Sequence, residues 1–464
     1  MFFKHIYDKS LAQGSYLIGC QATGESLVID AKRDVDTYLE IAKQNNLRIT
    51  HLTETHIHAD FLSGTRELAA LTGAKMYLSD EGGSDWQYEF EHEGLKHGDK
   101  IQVGNLTFEV LHTPGHTPES ISFLLTDKPA SQEPVMIFTG DFVFVGDIGR
   151  PDLLEKAAGL AGTQEKGAHD MYKSISEFSQ LPSHLQVWPG HGAGSACGKA
   201  LGAVPSSTVG YEKIRNWAFS YEDNEEGFVK YLLDGQPEPP KYFAMMKKLN
   251  KIDRPLLTEV PNHPTLSAEE FLSKYEQGIT VIDTRNKVEF AKGFIPGSLN
   301  IQNNNALATW AGWLLNYDED FVVVASEENK EEVTRKLMRI GLDRIAGFIT
   351  DVNIPNIELQ TADVIDIEEF KTYIGKEDVQ IIDVRGKSEY DNAHVEGADH
   401  NFVGTLPQNL EKLDQNKQIV IHCQAGDRSS TAYSVLRKHG IHNVKNYSGG
   451  MKEWKEQGNA TTTH

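Results

Sequence analysis

The strongest constraint on the fold is an internal repeat in the second half of the chain. LSAEEFLSKYEQGITVIDTRNKVEF, from Leu266, matches IDIEEFKTYIGKEDVQIIDVRGKSEY, from Ile365, so that Asp283, Arg285 and Glu289 recur as Asp383, Arg385 and Glu389, at a spacing of 100. Farther on, FVVVASEENK answers QIVIHCQAGD, and MRIGLDRI answers RKHGIHNV. Short apolar runs alternate with helical periodicity, the pattern of α/β units. The sequence therefore predicts two tandem α/β domains, over 262–357 and 362–464.

Ahead of the repeat, residues 1–245 also alternate short strands with amphipathic helices. SYLIGC and SLVIDA flank the turn signal QATGE and predict a hairpin. Helices are expected over VDTYLEIAKQNN, from Leu62 to Leu71, over MYKSISEFSQL, and through EEGFVKYLLDG and KYFAMMKKLNK. Proline clusters near Pro237–Pro240 and Pro255–Pro264 read as linkers. The fold class is thus α/β and multidomain.

Charge and cysteine content narrow the function. The 464 residues carry 45 Lys and Arg against 67 Asp and Glu, a net charge of −22, which disfavours a phosphate backbone as partner. Cys20, Cys197 and Cys423 are too few and too scattered for a disulfide framework, which points to a reducing compartment. No apolar run approaches the roughly 18–20 residues of a membrane span, and MFFKHIYDKS lacks a signal-peptide core. A cytoplasmic protein without membrane or nucleic-acid partners is expected.

Chemistry concentrates at the ends of strands in the first domain. ETHIHADF sets His56, His58 and Asp60 at alternate positions, which project to one side of an extended chain. HTPGHTPES adds His112 and His116, FTGDF adds Asp141, and WPGHGAG adds His191. Imidazoles and carboxylates converging there suit a divalent first-row metal. His112 fits the pattern less well than His116 and is expected to be a bystander.

In this order, HxHxD, TPGHT, TGD and PGH resemble the metallo-β-lactamase superfamily, which implies an αββα sandwich over about the first 240 residues. Dinuclear zinc hydrolases of that superfamily, such as glyoxalase II, read HxHxDH, whereas Phe61 stands at the last position here. The pattern resembles the mononuclear persulfide dioxygenases. That resemblance implies one Fe(II) per chain held by His56, His116 and Asp141, with zinc as the alternative. His58, Asp60 and His191 would then orient these three residues. Arg150, in GDIGRPD, would either steer an anionic substrate or pair with Asp147 or Asp152. Cys197, in GHGAGSACGK, is either an ordinary loop residue or a persulfide acceptor at the mouth of the metal pocket.

In the last domain, QIVIHCQAGDRSS puts Cys423 in a strand-to-helix loop. There, inward N–H groups and Arg428 would favour its thiolate. IIDVRGKSEY, AHVEGA, CQAGDR and YSGGMKEW resemble rhodanese. Cysteine phosphatases have five residues between Cys and Arg; four intervene here, which suits a sulfane sulfur. Asp383 and Arg385 are expected to form a structural pair. In the other repeat Ser326 stands for the cysteine and Glu331 for the arginine, so an inactive rhodanese is expected, its anion cradle spoiled by the glutamate. Cys20 reads as a core residue.

Taken together, the chain resembles persulfide dioxygenase–rhodanese fusions of Gram-positive sulfide-detoxification operons. The resemblance implies Fe(II)-dependent oxidation of a thiol persulfide by O₂ to sulfite, coupled to sulfur transfer that forms thiosulfate. Glutathione, coenzyme A and bacillithiol persulfides all remain open as substrates. The rivals are a zinc-dependent glyoxalase II-like thioester hydrolase fused to a sulfurtransferase, and a non-enzymatic sulfur carrier. A homo-oligomer is expected from the apolar helix near Phe243–Leu249.

Overall fold

The hairpin expected around QATGE opens a six-stranded sheet. Its strands are β1 (Phe2–Asp8), β2 (Gln13–Cys20), β3 (Glu25–Ile29), β4 (Arg48–Thr53), β5 (Lys75–Ser79) and β6 (Glu93–Leu95), paired in that order. A second six-stranded sheet follows, built from β7 (Lys100–Val103), β8 (Leu106–His112), β9 (Ile121–Asp127), β10 (Met136–Gly140), β11 (Gln186–Pro189) and β12 (Ser207–Thr208). The computed structural model describes residues 1–153, 155, 162–199 and 201–463.

The inner faces of the two sheets share one core. Tyr16, Ile18, Leu27 and Ile29 from the first sheet meet Phe108, Val110, Phe123 and Phe138 from the second, with Cys20 among them. Full burial of each large apolar side chain contributes about 1.5–3 kcal/mol. The outer face of the first sheet carries Leu17, Val28 and Leu52 against Tyr38, Ala42 and Leu68 of the helices Asp36–Gln44 and Thr65–Thr72. The outer face of the second sheet packs Leu124, Ile137 and Val187 against Met171, Ile175, Phe228 and Leu232 of the helices Thr163–Phe178 and Glu225–Leu233. Two sheets with helices on both outer faces make an αββα sandwich.

Two helix boundaries differ from the sequence expectation. The helix expected from Leu62 begins at Thr65, because the Ser63 hydroxyl donates to Glu54 (2.5 Å) and accepts the Thr65 N–H (3.1 Å), holding the preceding turn out of the helix. The helix expected at MYKSISEFSQL starts earlier, at Thr163, since TQEKGAHD is polar and continues its solvent face.

The chain divides into two units, Met1–Val260 with Met338–Gly341, and Pro261–Leu337 with Leu342–His464. The second unit holds both repeats, each with its own parallel sheet. The first repeat has β13 (Thr280–Asp283), β14 (Leu299–Asn300), β15 (Phe321–Val324) and β16 (Ile345–Ile349), in the order β14-β13-β15-β16. The other repeat adds β17 (Val364–Ile365), β18 (Val379–Asp383), β19 (Ala398–His400), β20 (Gln418–His422) and β21 (Val444–Tyr447), in the order β17-β21-β20-β18-β19. Central strands β15 and β20 are buried on both faces, as their unbroken apolar runs require. Among the described residues, no helix is long and apolar enough to cross a membrane.

Candidate functional site

His56, His116 and Asp141 converge in the first unit, all buried, with ligand atoms within 4.8 Å of one another. Each ligand follows a strand that fixes its direction: β4 for His56, β8 for His116 and β10 for Asp141. Gly140, at φ +52°, makes the turn out of β10, and a Cβ there would meet Thr55 Oγ1 at 2.3 Å. The glycine of TGD thus lets Asp141 approach the first motif.

Hydrogen bonds on the far side of each ligand set its tautomer or orientation. The Thr55 hydroxyl donates to Asp30 Oδ2 (2.9 Å), so its oxygen accepts from His56 Nδ1 (3.0 Å) and leaves His56 Nε2 a free lone pair. His116 Nδ1 donates to the Arg150 carbonyl (2.8 Å), and its Nε2 lies 3.6 Å from Asp141 Oδ2. His191 donates from Nδ1 to Asp141 Oδ1 and from Nε2 to Asp60 Oδ2, both at 2.7 Å. One oxygen of Asp141 is therefore taken and the other is available.

Electrostatics agree with this division. Burial, aided by the neighbouring His58, lowers the His56 pKa well below the usual imidazole range, and burial lowers that of His116, so both stay neutral. Burial works against the charged form of His191, yet Asp141 and Asp60 raise its pKa well above normal and keep it an imidazolium. Burial likewise opposes ionisation of Asp141, but His191 holds its carboxyl well below the usual range. His56 Nε2 and Asp141 Oδ2 are buried without a hydrogen-bond partner. Such orphaned atoms cost about 1–3 kcal/mol each. Two imidazole nitrogens and one carboxylate oxygen fit a divalent metal, which would satisfy both atoms.

The remaining residues of the motifs fall outside this triad. His58 Nε2 lies 3.1 Å from Asp30 Oδ1, and its ring packs on buried Phe61 with centroids 4.3 Å apart. Burial opposes its charge, but Asp30 raises the His58 pKa to about 9. Asp60, His191 and Cys197 form a second buried group. Burial, then Asp141 and Asp60, push the Cys197 thiol well up, which keeps it protonated and works against attack as a thiolate. His112 Nε2 meets the Pro118 carbonyl at 2.8 Å, apart from the triad.

Of the two readings of Arg150, the pairing with Asp152 is the one present. Its side chain is fully buried, with Nε and Nη2 on Asp152 at 2.6 and 2.7 Å and Nη1 on the Ala196 carbonyl. A guanidinium bound this way is not offered to a substrate; its backbone carbonyl orients His116 instead. The apolar helix Phe243–Lys251 packs on this unit's own loops. Phe243 and Met246 are buried within the chain, and Asn250 Nδ2 donates to the carbonyls of His58 and Phe61, both at 2.8 Å.

Asp30 and Asn250 were not singled out in the sequence. Asp30, at positive φ (55°) directly after β3, carried a signal as a carboxylate at a strand end. Asn250 carried none. Beside the triad lies a cavity of about 590 Å³, lined by Trp86, Gly115, His116, Pro151, Lys166 and Asp170 among the described residues.

In the second unit, Cys423 follows β20 and is buried, and the Gly426 N–H donates to its Sγ at 3.1 Å. Gly426 has φ +92°, and a Cβ there would lie 2.4 Å from the Ser448 carbonyl oxygen, so the loop requires glycine. Ser429 Oγ lies 3.6 Å from the sulfur. Arg428 begins a fork onto Glu389, with Nη2 donating to Oε1 at 2.9 Å, so Glu389 positions the guanidinium and offsets its charge. Asp383 and Arg385 pair, Nε to Oδ1 at 2.9 Å.

In the first repeat Ser326 leads into a tight 3₁₀ turn, Glu327–Asn329, before the helix Lys330–Met338. Glu331 is exposed and pairs with Arg335 at 2.8 Å. The strand register corrects the sequence alignment by one residue: Val324 faces Asp283 as His422 faces Asp383, so Ala325 rather than Ser326 stands for Cys423, and Lys330 rather than Glu331 for Arg428. The exposed glutamate therefore spoils no cradle, and the loop itself is rebuilt.

An αββα sandwich with a His, His, Asp centre at its strand ends defines a metal-site enzyme domain, joined here to tandem α/β repeats of which one carries a cradled cysteine. The chain belongs to the metallo-β-lactamase superfamily and carries two rhodanese-like domains. The metallo-beta-lactamase superfamily model matches residues 11–191, and the rhodanese-like domain model matches 267–352 and 366–457. The solved structure of a metallo-β-lactamase from Staphylococcus aureus subsp. aureus COL is 46% identical with a TM-score of 0.71, covering 75% of this chain and 99% of that one. The mitochondrial persulfide dioxygenase of Bos taurus is 28% identical over 41% of this chain and 68% of its own length. The hydroxyacylglutathione hydrolase of Nitrosococcus oceani is 32% identical over 54% of this chain and 75% of its own.

Proposed function

We propose that the first unit oxidises low-molecular-weight thiol persulfides with O₂ to sulfite, while Cys423 carries sulfane sulfur and passes it to sulfite, in the service of sulfide detoxification. The observation that carries this reading is the triad, with His56 Nε2 and Asp141 Oδ2 buried and unpartnered beside His116 Nε2. One Fe(II) held by His56, His116 and Asp141 would supply a centre where persulfide and O₂ meet.

The chain's own residues do the rest. Thr55 and the Arg150 carbonyl keep the two ligand imidazoles in one tautomer, and His191 holds the Asp141 carboxylate at a fixed angle. The cavity beside His116 has room for the thiol's remaining atoms. At Cys423, the S–S bond of a cysteine persulfide breaks as the outer sulfur bonds to sulfite. Thiosulfate leaves, and the returning thiolate accepts the Gly426 N–H.

A zinc-dependent thioester hydrolase fused to a sulfurtransferase is the second reading, favoured by the hydroxyacylglutathione hydrolase relative. Phe61 and the pairing of His58 with Asp30 weigh against it, because they withdraw ligands from a second metal. The deciding experiment adds glutathione or coenzyme A persulfide to the anaerobically Fe(II)-loaded protein, with His116→Ala as control. The proposal expects oxygen uptake that requires His116 and yields sulfite or thiosulfate. No uptake, with tightly bound zinc and hydrolysis of S-lactoylglutathione, would establish the hydrolase.

A further inference from the structure

The repeat that lost its own thiol reaches the loop of the repeat that kept one. Lys287, at the start of the helix Lys287–Lys292, donates from Nζ to the Ala425 carbonyl and lies 2.9 Å from Asp427 Oδ1. Both acceptors belong to CQAGDR. A Cβ on Gly426 would stand 2.9 Å from the same Nζ. Asn300, in β14, clamps the helix Asp427–Lys438 farther along. Its N–H donates to Ser434 Oγ (2.9 Å), its Oδ1 accepts from Ser430 (2.7 Å), and its carbonyl accepts from Thr431 (2.8 Å). These contacts are particular to this repeat: the equivalent Lys387 pairs instead with Asp391 on its own helix.

The Ala425 carbonyl and the Gly426 N–H belong to one planar trans peptide and therefore point in opposite directions. An ammonium on the oxygen fixes the orientation of that plane, with the N–H at the opposite edge, where it meets Cys423 Sγ at 3.1 Å. It also polarises the amide, which strengthens the N–H as a donor to a charged sulfur. The same ammonium offsets the Asp427 carboxylate in the first helical turn, which would otherwise oppose an anion at the cradle.

We propose that Lys287 is a positioning residue for Cys423, acting through the Ala425–Gly426 peptide, and that the degenerate repeat is kept to supply it. This rests on the reading of Cys423 as the sulfur-carrying thiol.

The test uses the full chain and its Lys287→Met and Lys287→Arg variants. The rate of Cys423 modification by methyl methanethiosulfonate is followed by peptide mass spectrometry across pH, a readout that needs no turnover. Thiosulfate-to-cyanide sulfur transfer is measured alongside, and thermal melting checks folding. Lys287→Met should slow Cys423 modification at pH 7 by about five- to tenfold, the scale of one ordinary hydrogen bond, and displace its pH profile upward. Lys287→Arg should restore most of the rate. An unchanged profile in folded Lys287→Met would overturn the proposal. A chain whose Cys423 responds to Lys287 as expected but transfers no sulfur would sink the sulfurtransferase reading and leave the role of Lys287 standing.

Discussion

In both rhodanese-like repeats an arginine folds back on the last aspartate of its strand, Arg285 on Asp283 and Arg385 on Asp383, with Nη2–Oδ2 distances of 2.6 Å in each. The strands that carry these pairs are buried and parallel in each sheet. The repeats part company at the loop after β15 and β20. One loop closes as a 3₁₀ turn rich in exposed glutamate; the other wraps a buried sulfur with the Gly426 N–H. The comparison teaches that the frame and the chemistry are separable. Buried apolar strands and one ion pair hold the fold, while a few loop residues decide whether it presents a cradled thiol.

The largest difference between the repeats should appear on substituting the loops after β15 and β20. Cys423→Ser should lower thiosulfate-to-cyanide transfer more than about a thousandfold, the scale of losing a covalent nucleophile, whereas Ser326→Ala should leave the rate unchanged. Equal effects would break the distinction. Next come the ion pairs. Asp383→Asn leaves Arg385 buried and unpaired, its side chain only 3% exposed, and should destabilise by about 3–5 kcal/mol in denaturant titrations. Asp283→Asn should cost less, about 2 kcal/mol, because Arg285 is 24% exposed and water can replace its partner.

Glu389 offers a pH-dependent contrast. Burial alone would raise its pKa, but Arg428 draws it below the usual carboxylate range. Its contribution to stability is therefore present above the unfolded carboxylate pKa and lost as pH falls through the folded one. Melting temperatures of Glu389→Gln and the unsubstituted chain should differ at neutral pH and converge in acid. The smallest effect belongs to the rebuilt loop of the first repeat. Glu331→Gln removes an exposed pair with Arg335 and should change stability by no more than about 0.5 kcal/mol.

Much of this was legible in the sequence because it is local or periodic. The repeat at Asp283 and Asp383, the strand ends bearing His56, His116 and Asp141, and the CQAGDR loop all announce themselves within a few residues. What stayed hidden are partnerships across long separations, which leave no periodic trace. Asn250 supports the loop of His58 from about 190 residues away, and Asn300 grips the helix behind Cys423 from about 130. Arg150 sat in a motif that suggested a substrate, but Asp152, two residues on, claims its guanidinium. Composition could not have chosen between those outcomes, since burial decided it.

The central claim is a division of labour, with oxidation at His56, His116 and Asp141 and sulfur transfer at Cys423. It is tested most directly by trapping the products formed from a thiol persulfide and O₂ in the Fe(II)-loaded chain and in Cys423→Ser. The account predicts equal initial oxygen uptake, with thiosulfate from the unsubstituted protein and sulfite accumulating in the variant. Loss of oxygen uptake in folded Cys423→Ser, or the same thiosulfate yield from both, would contradict it.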